Sequence, residues 1–412
     1  MKLSDFALRR AGGRARASAR VAWEDSPRPA FELFFETSSE AADDLSAEAE
    51  AFATACLHPA VHAGERRLLV EGAICPRLAR GLESAANLVR SWWGPPRRPI
   101  AVEASEGFRA LPPAARPRAA FCLTGGADSL ALLATNRSTY PPDHPGSFRE
   151  AVSVYGHLCA ETDVSPWYER ALPALEATAR EAGATLVSIR TNLWRLEPVF
   201  DLVAWESLSA SLVAAAHLFR RRWTSVCLAS GRDVTNEIPR GTHPLLDPLY
   251  SSTALEVRHD ATALRRFERL RLIAASRPGA ESLIVCQTFP QGETLNCGVC
   301  EKCVRTMTEL LAIGALERAR QFPRADVAAG DVAGVEIGPA EAEYWAEVLP
   351  ALAALGRSDL VAAIRKKLRE ARRVERWTRD EGWRGRLRRF DRRRLGGRLL
   401  ALSRRLRGGP AA

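Results

Sequence analysis

Short apolar runs alternate with longer amphipathic segments through the middle of the chain. The apolar runs, each of β-strand length, cover residues 119–123, 151–155, 185–189, 225–229 and 283–286. The amphipathic segments, which predict helices, cover residues 129–134, 167–182, 205–221 and 261–275. This alternation predicts an α/β fold with an open parallel sheet. Ligands of such sheets bind beyond the carboxyl ends of the strands, so we expect a site in the turns after residues 123, 155 and 229.

The first 105 residues follow a different pattern and predict an N-terminal α+β accessory domain. A strand is expected at residues 31–36, with helices at 46–56 and 76–92. Cys56, His58 and His62 form a small metal-like group. We interpret this group as structural, because Pro59 interrupts the helical face that would join the two histidines.

Prolines and charge predict the remaining boundaries. The predicted divisions after the first domain are a Pro-rich linker at 106–118, the α/β domain at 119–320, a helical extension at 321–375 and a basic tail at 376–412. The 412 residues, 46% of them hydrophobic, suit a folded protein of two or three domains. No apolar stretch approaches the ~20 residues that span a bilayer, and no secretory signal core follows the N-terminal arginines. We therefore expect a cytoplasmic protein with no transmembrane segment.

The net charge of +10 is a property of the C-terminal region. Residues 365–407 contain 19 Lys or Arg and five Asp or Glu, and the rest of the chain contains 40 basic and 44 acidic residues. Lysine occurs only at positions 2, 302, 366 and 367. An anion bound elsewhere in the protein is therefore expected to meet arginines, backbone N–H groups and helix N-termini.

The turn after the first predicted strand of the α/β domain carries the strongest ligand signal. Its residues, from the end of the strand into the helix, are Leu123, Thr124, Gly125, Gly126, Ala127, Asp128 and Ser129. Two glycines let the backbone approach an anion, and the helix N-terminus supplies N–H groups. The hydroxyls of Thr124 and Ser129 add donors, and Asp128 is suited to hold Mg²⁺ on bound phosphates.

An ordinary strand-to-helix turn, in which Asp128 or Ser129 caps the helix, is the alternative. A kinase-type phosphate loop is excluded, because no glycine is followed by Lys and then Ser or Thr. The string resembles the Ser-Gly-Gly-x-Asp-Ser loop of the PP-loop ATP pyrophosphatases, with Thr124 in place of the first serine. We therefore interpret the turn as a pyrophosphate-binding site.

Four of the nine cysteines lie in one short segment. Cys286 is followed, after ten residues, by Cys297-Gly298-Val299-Cys300-Glu301-Lys302-Cys303. Two overlapping Cys-x-x-Cys spacings bring three sulfurs to one ion, and Cys286 supplies a fourth, which predicts a closed structural Zn²⁺ site. An iron–sulfur cluster, a disulfide pair and a redox motif are the alternatives.

Together the two motifs resemble the 7-cyano-7-deazaguanine synthase family, a PP-loop branch whose zinc loop has Cys, a gap and then Cys-Gly-x-Cys-x-x-Cys. The resemblance covers residues 119–315 and includes Tyr155-Gly156-His157, where that family tends to have Asp-Tyr-Gly-Gln. The chain departs from the family at Val154 and His157. It also departs at residues 200–206, where the family has Pro-Gly-Arg-Asn.

The resemblance implies ATP-dependent adenylation of a carboxylate of the 7-carboxy-7-deazaguanine type, with Mg²⁺ and structural Zn²⁺. An amine, either ammonia or an amine of a partner protein, then displaces AMP. The implied nucleotide-binding residues are Leu123, Thr124, Gly125, Gly126, Asp128, Ser129, Tyr155 and Gly156. Asp128, Ser129 and Arg232 are the implied catalytic residues, and a surface salt bridge is the alternative role for Arg232.

Candidates for reading the substrate are Glu206, Asp247, His259 and Arg266. Asp247 and His259 lie in a long polar segment, residues 241–260, of the kind that closes over sites. A structural hydrogen-bonding role is the alternative for His259.

Partners are indicated at both ends of the chain. Longer relatives resembling the synthase occur in bacterial antiphage operons, which implies that residues 1–105 dock a partner protein; a simple extension of the fold or a homodimer contact is the alternative. Apolar residues at helical spacing among the arginines of residues 384–407 predict a basic amphipathic helix that contacts RNA, an anionic membrane or an acidic partner. A solvated helix with nonspecific attraction is the alternative.

The tail also keeps two other functions open. One is a PP-loop tRNA-modifying enzyme such as a thiolase, which requires a reactive cysteine. The other is a noncatalytic binding protein that has kept the ATP fold.

Overall fold

Ten β-strands form one sheet in the structure, a computed structural model that describes residues 1–38, 40–95, 97–157, 165–197, 206–379, 387, 390 and 391. The strands are β1 (Lys2–Ala11), β2 (Arg14–Ala22), β3 (Phe31–Thr37), β4 (Arg67–Val70), β5 (Ala101–Ala104), β6 (Ala119–Cys122), β7 (Phe148–Tyr155), β8 (Thr185–Thr191), β9 (Ser225–Ala229) and β10 (Glu256–Asp260). Their order is β10-β9-β6-β7-β8-β3-β2-β1-β4-β5. Neighbours are parallel except for β1–β2, β2–β3 and β3–β8. The predicted α/β class with a largely parallel sheet is therefore confirmed.

The α-helices of the described residues are α1 (Ala49–Ala63), α2 (Pro76–Trp93), α3 (Ala127–Thr139), α4 (Ser165–Glu181), α5 (Leu208–His217), α6 (Arg266–Ala274), α7 (Glu301–Ala312), α8 (Ala329–Gly334), α9 (Ala342–Glu347), α10 (Leu349–Ala354) and α11 (Ser358–Arg379). Short 3₁₀ turns occur at Ala42–Asp44, Leu193–Arg195, Asp247–Tyr250, Ala280–Ser282 and Leu316–Arg318. No described helix combines the length and apolar character needed to cross a membrane.

The predicted strand at residues 283–286 is wrong. Ile284 N–H donates to the carbonyl of Gly125 at 2.9 Å, and the N–H groups of Val285 and Cys286 donate to Oδ1 of Asn296. The apolar run is thus bound by the Gly125 carbonyl and the Asn296 side chain, and it does not pair with a neighbouring strand. The last strand of the parallel part is β10 instead, which lies within the segment expected to be a polar loop.

The N-terminal strands continue the same sheet. In the β3–β8 pair, Phe35 lies opposite Thr191 and Glu36 opposite Arg190, and the hydroxyl of Thr191 donates to the carbonyl of Phe34 at 2.7 Å. Contacts divide the chain into one unit of residues 1–297 and 318–323 and another of residues 298–317 and 324–412. The predicted boundary at residues 106–118 therefore lies inside the first unit.

One face of the sheet packs into a hydrophobic cluster with α1 and α5. This cluster contains Val226 and Leu228 of β9 together with Val213 of α5 and Leu57 of α1. Side chains alternate between the faces of a strand, so Cys227 points to the opposite face from Val226. Helix α3 contacts β6, β7 and β9.

His58 and His62 of the N-terminal group bind different partners. Nε2 of His58 lies 2.6 Å from the hydroxyl of Tyr250, and Nδ1 of His62 lies 2.8 Å from Glu197. These contacts agree with the structural role expected for both histidines.

In the second unit, α7 to α11 pack on one another. Trp345 of α9 is fully buried and donates from Nε1 to Glu301 of α7 at 2.8 Å. Arg357 precedes α11 and binds Asp326 at 2.8 Å and Asp359 at 3.0 Å. Helix α11 contacts α8, α9 and α10.

Candidate functional site

The carboxyl ends of β6 and β9 lie side by side in the parallel part of the sheet. From β6 the chain adds β7 and β8 on one side, and it then returns to add β9 and β10 on the other. In the β6–β9 pair, Ala119 lies opposite Ser225 and Phe121 opposite Cys227. The strand order therefore reverses at these two strands, and in open α/β sheets this reversal is where ligands bind.

The turn predicted to bind pyrophosphate, residues 123–129, joins β6 to α3 at this position, and we call it the phosphate turn. Gly125 has φ +73°, and a side chain there would approach Ile284 and Leu175 at 3.1 Å. Gly126 is the residue before α3, and its carbonyl accepts the first helical bond from Leu130 at 3.1 Å. Leu123 is fully buried and donates to the carbonyl of Val152 at 2.9 Å. Leu123 thus anchors the turn to β7. The absence of a side chain at Gly125 leaves room for Ile284 and Leu175 to pack against the turn.

The two hydroxyls of the turn bond to the turn itself. The hydroxyl of Ser129 donates to the Gly126 carbonyl at 3.0 Å and accepts from the Thr124 N–H at 3.3 Å. The Gly126 N–H donates to Oγ1 of Thr124 at 3.3 Å. Ser129 is buried and Thr124 is exposed. Ser129 therefore shapes the turn, and Thr124 is the hydroxyl that a ligand can reach.

Asp128 in the first turn of α3 forms an ion pair that the sequence did not predict. Nη1 of Arg269, on α6, lies 2.9 Å from Oδ1 of Asp128. The Arg269 side chain is fully buried, whereas the Asp128 side chain is 40% exposed. Nη2 of Arg269 also donates to the carbonyl of Ala261 at 3.2 Å. A buried guanidinium thus fixes a carboxylate that faces solvent at the start of α3.

The loop after β9 supplies two more arginines. Arg232 is 5% exposed and donates from Nη1 to the carbonyl of Asn236 at 3.2 Å. The hydroxyl of Ser230 donates to the Arg232 carbonyl at 2.5 Å. A side chain on Gly231 would meet the guanidinium of Arg240 at 2.8 Å, so Arg240 lies directly against this loop. Nε of Arg240 is buried without a hydrogen-bond partner in the part of the chain that the structure describes.

The end of β7 is tightly packed. Gly156 has φ +90°, and a side chain there would collide with the carbonyl of Thr191. The Tyr155 ring stacks on Tyr168 with centroids 4.4 Å apart. Burial lowers the pKa of His157 to about 4, so this histidine is neutral at neutral pH. Glycine is therefore required at position 156 by packing, whatever ligand binds nearby.

The four predicted metal ligands come together. The sulfurs of Cys286, Cys297, Cys300 and Cys303 all lie within 4.8 Å of one another. Thiolates around tetrahedral zinc, with Zn–S bonds of about 2.3 Å, are roughly 3.8 Å apart, so this group could hold a metal ion such as zinc. Cys300 immediately precedes α7 and Cys303 lies in its first turn, where the positive end of the helix dipole favours thiolates.

Asn296 folds the ten-residue excursion between Cys286 and Cys297. Its side chain is fully buried and accepts from the N–H groups of Val285 at 2.8 Å and Cys286 at 3.1 Å. Its amide donates to the carbonyls of Leu283 at 2.9 Å and Gln321 at 3.1 Å. Ile284 lies two residues before Cys286, and its N–H donates to the Gly125 carbonyl. Residues 283–303, which we call the cysteine segment, therefore also support the phosphate turn.

Comparison with protein-family models, with curated proteins and with solved structures found no match to this chain. Its function therefore has to be inferred from the site.

Asp247 and His259, predicted separately, form one buried pair. Nδ1 of His259 lies 2.7 Å from Oδ2 of Asp247, and their side chains are 1% and 0% exposed. Nε2 of His259 is buried with no hydrogen-bond partner among the described residues. Burial lowers the pKa of His243, helped by the nearby His259, and burial also raises the pKa of Glu237. The buried Asp247–His259 pair thus lies near other ionisable side chains of the segment after β9.

The other two substrate candidates are also buried. Glu206 is 5% exposed and accepts a hydrogen bond from Nε of Arg97 at 2.9 Å. Arg266 is 7% exposed and begins α6. The departure from the synthase family at residues 200–206 falls outside the described residues except for Glu206.

Proposed function

We propose that this protein uses ATP to adenylate a carboxylate and then transfers the acyl group to an amine. The glycine turn between β6 and α3, located where the strand order reverses, is the observation that carries the proposal. A turn of this shape offers backbone N–H groups and a helix N-terminus to the β- and γ-phosphates. Lysine is not needed for that contact.

The residues around the turn have distinct roles in this proposal. Gly126 lets the backbone approach the phosphates, and the exposed hydroxyl of Thr124 donates to them. Bound Mg²⁺ would neutralise charge on the phosphates, and Asp128 is the residue that would hold it. Arg269 keeps the Asp128 carboxylate in one orientation, because its buried guanidinium binds Oδ1.

The arginines of the loop after β9 would offset negative charge on the α-phosphate. A carboxylate oxygen of the substrate attacks the α-phosphorus of ATP, the bond to the β-phosphate breaks and pyrophosphate leaves. Arg232 and Arg240 would stabilise negative charge as it develops on the α-phosphate. The amine nitrogen then attacks the acyl carbon, loses a proton, and AMP leaves with the electrons of the acyl–oxygen bond.

The substrate that we favour is of the 7-carboxy-7-deazaguanine type. Support comes from the combined resemblance of the phosphate turn and the cysteine segment to the synthase family. A four-thiolate zinc site would hold the cysteine segment and, through Ile284, the phosphate turn.

Pyrophosphate release tests the proposal. Purified zinc-loaded protein is assayed with ATP, Mg²⁺ and 7-carboxy-7-deazaguanine, and wild type is compared with Asp128→Asn. We expect substrate-stimulated release in wild type and a loss of about 100-fold or more in the variant, as when a group that stabilises phosphoryl charge is removed. Asparagine keeps the shape of aspartate and an oxygen that can accept from Arg269, and it removes the negative charge of the pair.

The matched control is Asp143→Asn, because the Asp143 side chain is fully exposed and its ion pair within the described residues is a long one, 3.4 Å from Arg149. Its activity should equal wild type. Release that neither responds to the carboxylate nor depends on Asp128 would exclude adenylation at this site.

A PP-loop tRNA-modifying enzyme is the second candidate, favoured by the basic C-terminal region. It requires a reactive thiol, but burial raises the pKa of Cys122 to about 12 and raises that of Cys227 as well. Cys159 lies outside the described residues. The same assay with tRNA in place of the carboxylate separates the two candidates.

A further inference from the structure

Helix α11 has one apolar face and one strongly basic face. The apolar face, formed by Leu360, Val361, Ile364, Leu368 and Ala371, is buried. The opposite side exposes a row of cations that we call the basic face of α11, namely Arg365, Lys366, Arg369, Arg372 and Arg373. Glu370 is the one exposed acidic residue between positions 365 and 373.

Most of these cations lack a counter-ion in the described structure. Within the described residues, no salt bridge involves Arg365, Lys366, Arg369 or Arg373, and Lys367 reaches Glu370 only at 4.0 Å. Arg357, just before the same helix, is by contrast held by both Asp326 and Asp359. Arg357 is thus paired, whereas Arg365, Arg369 and Arg373 are exposed and have no salt bridge among the described residues.

The spacing of the basic face suits a regular polyanion. Arg365, Arg369 and Arg373 are four residues apart, so successive guanidinium groups rise by about 6 Å along one side of the helix. Guanidinium forks bind phosphate through two N–H donors. The same charge excess continues along the sequence to residue 407.

A membrane fits the helix less well than a nucleic acid does. Amphipathic helices bind bilayers by burying their apolar face in the lipid. The apolar face of α11 is already covered by α8, α9 and α10. Only the electrostatic part of membrane binding remains for this helix.

We propose that the basic face of α11 binds the phosphate backbone of a nucleic acid without reading its sequence. The interaction is carried by Arg365, Arg369 and Arg373, with Lys366 and Arg372 beside them. It does not depend on the adenylation proposed above, because it uses a different helix and different chemistry.

Salt-dependent binding of the full chain tests this site. The probe is a fluorescent 20-nucleotide poly(U) RNA, and its affinity is measured by anisotropy between 50 and 300 mM salt for wild type and Arg365→Gln/Arg369→Gln/Arg373→Gln. Each lost phosphate contact lowers the slope of log K against log salt by about 0.7, so three contacts lower it by about 2. At 0.1 M salt this corresponds to an affinity loss on the order of 100-fold.

A second triple variant removes the same charge from scattered positions. Arg80, Arg180 and Arg221 are also exposed arginines, and Arg80→Gln/Arg180→Gln/Arg221→Gln should keep the wild-type slope. Circular dichroism of both variants checks that α11 is folded. Equal losses in both variants would show a net-charge effect and overturn the proposal.

The same proteins are tested on vesicles with one quarter phosphatidylglycerol and on poly-glutamate. RNA binding that responds to the α11 variant, with weaker binding to both other polyanions, supports the site. An α11 variant that keeps its RNA affinity and slope but loses vesicle or poly-glutamate binding would overturn it in favour of a lipid surface or an acidic protein.

Discussion

The phosphate turn and the cysteine segment are held in shape by different forces. The turn is closed by its own hydroxyls and backbone, through bonds among Thr124, Gly126 and Ser129. The cysteine segment gathers four sulfurs within 4.8 Å, and thiolates at that spacing repel one another unless a cation is present. The first element is therefore preformed by the chain, whereas we expect a bound ion to stabilise the second.

The two elements are joined by one backbone hydrogen bond. Ile284 donates to the carbonyl of Gly125 at 2.9 Å, and its side chain covers the glycine. Disturbance of the cysteine segment should consequently reach the turn, whereas small changes in the turn should leave the metal in place. This asymmetry can be tested by substitutions on each side.

Removing a metal ligand should have the largest effect. We expect Cys297→Ser to lower the zinc content from one per chain to none and to cost several kcal/mol of stability, since structural zinc contributes roughly 10–16 kcal/mol of binding free energy. ATP affinity should fall as well, because Ile284 loses its support. Metal analysis, thermal unfolding and calorimetry with ATP measure the three effects.

The control for the metal variant is Cys56→Ala. Cys56 is fully buried in α1 and belongs to no cysteine group, so zinc content should be unchanged. A Cys297→Ser protein that retains a full equivalent of zinc would contradict the four-thiolate site.

A side chain at Gly125 should have the next largest effect. Gly125→Ala combines the cost of a left-handed backbone, about 1–2 kcal/mol, with contacts to Ile284 and Leu175 at 3.1 Å that add about 1–3 kcal/mol. Gly183 has φ +67° and nothing within 4 Å of an added side chain, so Gly183→Ala should show the backbone cost alone. Denaturant unfolding of both variants isolates the packing contribution, and equal losses would mean that Ile284 does not press on the turn.

The smallest effect is expected at the exposed hydroxyl of the turn. Thr124→Val removes the hydroxyl that, in our proposal, donates to the phosphates, a bond worth about 1 kcal/mol, and should weaken ATP binding about fivefold. Thr124→Ser keeps the oxygen and should bind ATP as wild type does. Calorimetry of the pair distinguishes a hydroxyl effect from a packing effect, and equal weakening of ATP binding in both variants would contradict a role for the hydroxyl.

Local hydrophobic patterns predicted the strands that are buried along most of their length. β6, β7 and β9 are apolar because both faces of the central sheet are covered, so their positions could be read from hydrophobic runs. β10 was missed because Glu256, Arg258, His259 and Asp260 make it look like a loop. The pairing of β3 with β8 was also not predictable, since it joins residues about 150 positions apart.

The candidate site shows the same limit. The glycines, Asp128 and the cysteines were identified because their spacing is local, and the structure brings the four cysteines together. Arg269 and Asn296 carry no local signal, because an arginine in a charged helix and an asparagine in a polar loop are ordinary. Each matters only through partners brought by the fold, Asp128 for Arg269 and the segment 283–286 for Asn296.

Both edge strands of the ten-stranded sheet have features that disfavour pairing with another chain. β5 has four residues, and its exposed Glu103 binds Arg67 of β4 at 3.0 Å. β10 has five residues, and Val257 is its one apolar side chain. Short, charged edge strands resist pairing with another chain. A second copy of this protein is therefore expected to associate through helices or loops, and the wide sheet should stay confined to one molecule even at high concentration.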